Sequence, residues 1–142
     1  MNTRDTLTIQ GKRLLLVEDN HIHRLLTEEF FERQGYTVMG AYDATNFFSI
    51  LASFEPDLIV LDLNLPEIDG FTLLEQLQQS KWHDIPIIIV SAYAFDREKQ
   101  RAKQLGIRNY FTKPINLEIV SQSVQTELAT VVRDRPVNAP AD

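Results

Sequence analysis

Several polar residues close apolar runs in this 142-residue chain. Glu18 and Asp19 follow Arg13-Leu14-Leu15-Leu16-Val17, Asp62 closes Leu58-Ile59-Val60-Leu61, Ser91 closes Ile87-Ile88-Ile89-Val90, and Lys113 lies just beyond a run ending in Phe111. Three carboxylates gathered in one crevice repel each other, and burying them unpaired is costly. One lysine cannot balance them. A hard divalent cation can, and oxygen donors without histidine or cysteine favour Mg²⁺. Mg²⁺ commonly shares its shell with a phosphoryl oxygen, so the set suits phosphate chemistry, with Asp62 as a carboxylate nucleophile. Lys113 would meet a second phosphoryl oxygen, and Ser91 with nearby backbone amides a third. Its place at a strand end is expected to leave Asp62 open to a donor. A single acid at such a place reads as a cap or a solvated loop residue, as Asp43 and Asp69 do.

Convergence requires elements that bring these ends to one edge. Arg13–Val17 reads as a buried strand. Asn20 caps a helix with apolar positions Ile22, Leu25, Leu26 and Phe30, stopped near Gly35. A strand follows over Tyr36–Ala41, and Asp43 caps a helix with a stripe of Ala44, Phe47, Phe48, Leu51 and Ala52. The third strand is Leu58–Asp62, and Asp69-Gly70 opens a helix bearing Leu73, Leu74 and Leu77. The fourth strand is Ile87–Ser91, with a helix from Asp96 to Leu105 ending at Gly106. The last strand is Ile107–Phe111. Asn116 then caps a helix with Leu117, Val120, Val124, Leu128 and Val131 on one side. Continuous apolar strands alternating with amphipathic helices predict an α/β fold, a doubly wound three-layer sandwich. Five strands favour a parallel sheet of flavodoxin-like order 2-1-3-4-5, whose strand carboxyl ends form the ligand edge. The expected boundaries are a polar N-terminal extension over 1–12, one domain over 13–132 and a flexible tail over 133–142, with Pro136 and Pro140.

Composition narrows the field. Hydrophobic residues at 44% and charged residues at 24% match an ordinary soluble domain. With no cysteine, disulfides and thiolate metal sites are excluded. The net charge of −6 and the lack of a helix-turn-helix argue against direct nucleic-acid binding. No apolar run is long enough to span a bilayer, and the start lacks a signal-peptide core, so a cytoplasmic protein is expected.

Val17-Glu18-Asp19-Asn20, Leu61-Asp62-Leu63-Asn64-Leu65-Pro66 with Asp69-Gly70, Val90-Ser91-Ala92 and Tyr110-Phe111-Thr112-Lys113-Pro114 together resemble the response-regulator receiver domain of bacterial two-component systems. The resemblance runs from about Lys12 to Leu128. It implies that Glu18 and Asp19 hold Mg²⁺, Asp19 directly and Glu18 through water. It makes Asp62 the phosphoacceptor and a metal contact, and the Asn64 carbonyl the completion of the metal shell. Ser91 matches the hydroxyl that moves to the phosphoryl group, Lys113 the lysine that pairs with it, and Tyr110 the aromatic that swings in behind. Asn64 and Tyr93 match positions that tune the lifetime of the phosphate. Glu18 stands where many relatives have Asp, and Ser91 where many have Thr; both keep the chemistry.

The partners implied are a sensor histidine kinase or histidine phosphotransfer protein as donor and a downstream protein effector. Switching would act through the face of the fourth helix, fifth strand and fifth helix, with a homodimer as one outcome. The chain is expected to be a phosphoacceptor that assists its own phosphorylation and slow dephosphorylation, not a turnover enzyme. The alternatives are a receiver-fold binding module working without phosphorylation and a receiver fragment of a hybrid histidine kinase. A haloacid-dehalogenase-like phosphatase would want Asp where Asn64 stands, and a flavodoxin would want a phosphate-cradling loop where Glu18-Asp19 stand. His21 and His23 read as surface residues, with a place close to the docking kinase as the alternative, and Trp82 and His83 as peripheral packing in a connecting loop.

Overall fold

A computed structural model describes the backbone of residues 10–134 and the side chains of residues 10–129. Most of the expected N-terminal extension and the tail beyond Asp134 lie outside the described residues. The elements alternate strictly: β1 (Arg13–Val17), α1 (His21–Arg33), β2 (Thr37–Ala41), α2 (Phe47–Phe54), β3 (Leu58–Asp62), α3 (Gly70–Gln78), β4 (Ile87–Ser91), α4 (Asp96–Gln104), β5 (Asn109–Thr112) and α5 (Leu117–Asp134). All strand pairings are parallel, in the order β2-β1-β3-β4-β5.

Alternation along each strand splits the core in two. Leu15, Val17, Ile59, Leu61 and Ile89 point to the face covered by Phe47 and Leu51 of α2, Leu73, Leu74 and Leu77 of α3, and Ala102 of α4. Leu14, Leu16, Leu58, Val60, Ile88 and Val90 point to the other face, against Phe31 of α1 and Val120, Val124 and Leu128 of α5. Being covered on both sides is why the three central strands are unbroken apolar runs. Each fully buried aliphatic side chain contributes about 1.5–3 kcal/mol.

The caps follow expectation at three helices. Asn20 Oδ1 accepts from His23 N at 2.9 Å, Asp69 Oδ1 from Phe71 N at 3.2 Å, and Asn116 Oδ1 from Glu118 N at 3.0 Å. Asp43 does not cap a helix. Its Oδ1 accepts from Thr45 N in a turn, and α2 begins only at Phe47. Ala52 of the expected stripe is exposed, while Phe47 and Leu51 are buried.

Two strands start later than the apolar pattern suggests, for one reason. The N–H of Tyr36 returns to Phe31 O at 3.2 Å around Gly35 (φ +109°), and the N–H of Ile107 returns to Ala102 O at 3.0 Å around Gly106 (φ +87°). Each amide closes the preceding helix and cannot join the sheet. β2 therefore begins at Thr37, and Ile107 stays outside β5, which runs from Asn109 to Thr112. The α4 helix ends at Gln104, and α5 continues to Asp134, past the expected boundary at residue 132.

The largest departure is the orientation of α1. Ile22, Leu25 and Leu26 are 64%, 49% and 56% exposed, whereas Thr27 and Phe31 are buried. The sheet-facing line runs Arg24, Thr27, Phe31, Gln34, spaced as one side of a helix. It is held at both ends: Arg24 Nη1 donates to Glu18 O at 2.9 Å, and Gln34 Oε1 accepts from Ser121 Oγ of α5 at 2.8 Å. Between them Phe31 packs edge-on against Phe30 and Tyr36. Those contacts turn the aliphatic stripe to solvent. Trp82 packs on the α2–α3 side, its ring 6.0 Å from that of Phe48, as peripheral packing should.

Candidate functional site

Register brings the polar ends together. Val17 pairs with Leu61, Asp62 with Val90, and Ser91 with Thr112, so β1, β3, β4 and β5 end at one level. Lys113 N continues the ladder to Ser91 O at 2.8 Å, which aims the lysine back over the strand ends. The loop after Asp62 is fixed by close packing: a Cβ on Gly70 would lie 2.6 Å from Leu63 Cα and 2.8 Å from Leu63 O.

Asp62 is only 2% exposed. Its Oδ1 accepts from Asn64 N at 2.8 Å and its Oδ2 from Lys113 Nζ at 2.8 Å. The openness expected for this residue is therefore not found: the side chain is buried and both carboxylate oxygens are engaged. Lys113 Nζ also reaches Glu18, at 3.0 Å to Oε1 and 3.3 Å to Oε2. Burial would lower the lysine's pKa, but its bonds to Asp62 and Glu18 outweigh that and raise it. Glu18 is pushed up to about 7, first by burial and then by the neighbouring Asp62, with Lys113 opposing.

Asp19 is exposed at the rim. Glu18, Asp19 and Asp62 each offer an oxygen within 4.8 Å of the others. Lys113 brings one positive charge against three negative ones, and every donor is a carboxylate oxygen. This set fits a hard divalent cation.

The β4–α4 loop carries the remaining expected residues. Ser91 is fully buried. Its hydroxyl donates to Asn64 Oδ1 at 3.2 Å and accepts from Tyr93 N at 3.0 Å, while Ala92 N donates to the same Asn64 oxygen at 2.9 Å. Tyr110 is half-buried, and its hydroxyl donates to Tyr93 O at 2.9 Å. Burial raises its pKa, with the Ser91 hydroxyl nearby acting in the opposite direction. The Tyr93 side chain is exposed.

Arg24 anchors the loop that carries Glu18 and Asp19, through its bond to Glu18 O, and its sequence position gives little sign of this. The only signal for it is its place one turn after the Asn20 cap. His21 and His23 are exposed, as expected for surface residues; His21 Nδ1 lies 3.0 Å from Arg24 Nη2, and His23 Nδ1 lies 3.7 Å from Glu18 Oε1.

A five-stranded parallel sheet in this order, with three acids, a lysine and a buried hydroxyl at one edge, defines a doubly wound α/β domain with an acidic ligand edge. The chain belongs to the response regulator receiver domain family, whose model matches residues 14–125. It is 36% identical over 119 residues to the regulatory protein VanRc of Enterococcus gallinarum, covering 83% of this chain and 50% of that protein. It is 28% identical over 120 residues to sporulation initiation phosphotransferase F of Bacillus subtilis, covering 84% of this chain and 96% of that protein. Among solved structures, the non-phosphorylated HemR receiver domain of Leptospira biflexa superposes with a TM-score of 0.79 at 28% identity, covering 89% of this chain and 98% of that one. The chain thus spans half the length of VanRc and nearly all of the phosphotransferase. It is a two-component response-regulator receiver. No helix among the described residues is long and apolar enough to cross a membrane.

Proposed function

We propose that Asp62 is the phosphoacceptor of this receiver, taking the phosphoryl group from a phosphohistidine on a sensor kinase or phosphotransfer protein. A carboxylate oxygen of Asp62 forms the new P–O bond, the P–N bond of the donor breaks, and its electron pair stays on the imidazole. The observation that carries this reading is the Lys113 Nζ contact at 2.8 Å to Asp62 within the cluster of three acids. In this reading Glu18, Asp19, Asp62 and the backbone carbonyl of Asn64 hold Mg²⁺, which when bound neutralises the carboxylates and the incoming phosphoryl oxygens.

The residues of the chain itself do the rest. Lys113 is positioned to follow charge from the Asp62 carboxylate to a phosphoryl oxygen. Ser91 and the Ala92 amide form a donor pair for a second oxygen. Each charge-assisted hydrogen bond is worth about 1.5–3 kcal/mol, and swinging a switch from mostly off to mostly on takes ~5.5 kcal/mol. Two such bonds come close to that figure. Because Tyr110 holds Tyr93 O, movement of the Ser91 loop is transmitted to β5 and to the face formed by α4, β5 and α5. That face then changes its affinity for a downstream protein or for a second copy of the chain. Asn64 and Tyr93 flank the phosphoryl position and set how long the phosphate persists. The solvent-facing Ile22, Leu25 and Leu26 of α1, beside the acidic loop, offer the donor an apolar contact.

The test is incubation with acetyl phosphate and Mg²⁺ followed by intact mass measurement. Wild type gains one phosphoryl group and Asp62→Asn gains none. An equal gain in the variant would move the acceptor elsewhere, and no gain in wild type would leave a binding module that works without phosphorylation.

A further inference from the structure

Asn64 Oδ1 accepts hydrogen bonds from two donors at once, the Ser91 hydroxyl at 3.2 Å and the Ala92 N–H at 2.9 Å. In the function proposed above, these same two donors serve a phosphoryl oxygen on Asp62. The Asn64 N–H, meanwhile, is bonded to Asp62 Oδ1 at 2.8 Å, so one residue is fastened by its backbone to the acceptor carboxylate and by its side chain to the donor pair. An amide oxygen and a phosphoryl oxygen are both acceptors, and while this donor pair serves one it does not serve the other.

The geometry points to Asn64 as a positioning residue that acts as a resting-state latch. Its amide oxygen stands in for a phosphoryl oxygen, satisfying Ser91 and Ala92 until phosphorylation of Asp62 displaces it. This rests on the receiver chemistry proposed above and adds what opposes the switch. The latch has two consequences. It gives the buried Ser91 hydroxyl an acceptor in the unphosphorylated chain. It also makes the phosphoryl group compete with an internal ligand, so its apparent affinity falls by the fraction of molecules in which the donors are free.

The latch is distinguishable from a role confined to the metal shell, because a backbone carbonyl survives side-chain truncation. Titrating the full chain with beryllium fluoride in Mg²⁺ buffer, a phosphoryl mimic that forms no covalent product with a donor, compares wild type with Asn64→Ala and Asn64→Ser. Truncation is expected to tighten binding about fivefold, the equivalent of one net neutral hydrogen bond. In the same variants without beryllium fluoride, the Ala92 amide is expected to exchange with deuterium faster and its NMR resonance to move away from the hydrogen-bonded position. Thermal unfolding of both variants establishes that they are folded, and two truncations of different polarity guard against failure of one. Unchanged or weaker binding in a folded variant overturns the latch, as does an Ala92 amide that exchanges at the wild-type rate. Wild type that takes up no beryllium fluoride would overturn the receiver chemistry and the latch together. Wild type that binds it, with variants that bind no tighter, overturns the latch alone.

Discussion

Lys113 Nζ lies 2.8 Å from Asp62 Oδ2 and 3.0 Å from Glu18 Oε1, one ammonium shared by two buried carboxylates. Removing it leaves both without a counter-charge, and breaking a buried pair from one side costs more than the pair contributes. Glu18 relieves part of the loss by taking a proton. Lys113→Met is expected to lower stability by ~2 kcal/mol in chelator-treated buffer, and Mg²⁺ to recover more of it than in wild type. Urea denaturation with and without Mg²⁺ measures both.

Glu18 supplies the pH dependence. Its folded-state pKa is raised from 4.5 to about 7, chiefly by burial. Between those values the folded chain keeps a proton that the unfolded chain has released, so stability falls as pH rises through the window and is level above it. Without divalent cation, wild type should lose stability relative to Glu18→Gln from pH 4.5 up to about pH 7 and run parallel to it beyond. Parallel curves throughout would mean that Glu18 ionises normally.

Gly70 is required by space. A Cβ there would meet the Leu63 backbone at 2.6–2.8 Å, and backbone cannot give way as a side-chain tip can. Gly70→Ala is expected to cost ~1–3 kcal/mol and to shift the loop that carries Asn64. Chemical denaturation gives the first, and the Asn64 amide resonance the second.

The stripe on α1 gives opposite forecasts for stability and for transfer. Ile22, Leu25 and Leu26 are exposed, so Leu26→Ser should change stability by no more than about 0.5 kcal/mol. A core leucine cut back would cost about 2–5 kcal/mol. If the stripe meets the phosphodonor, the same variant accepts phosphate more slowly from a donor protein but at the wild-type rate from acetyl phosphate. A stability loss in the core range would mean that α1 is turned inward.

The central strands, the caps at Asn20, Asp69 and Asn116, and the convergence of Glu18, Asp62, Ser91 and Lys113 were legible in the sequence. Each depends on local pattern: apolar runs with defined ends, a capping side chain at a helix start, and a parallel sheet that lines strand ends along one edge. The true starts of β2 and β5 were hidden because Tyr36 and Ile107 look like strand residues. Their amides are used by the preceding helices instead.

Residue types and order determined that acids, a hydroxyl and a lysine would meet, and hence the class of chemistry. Tertiary structure alone decided which of them touch and which are free. Periodicity defines an apolar stripe on α1 but not its direction, which is set by Arg24 holding the Glu18 carbonyl just before the helix and Gln34 holding Ser121 of the distant α5. Spacing likewise brings Asn64 near Ser91 but cannot say that its side chain, rather than solvent, satisfies Ser91 and Ala92. Hydrogen-bond partners across 27 and 28 residues of chain are fixed by the packing of β3 against β4.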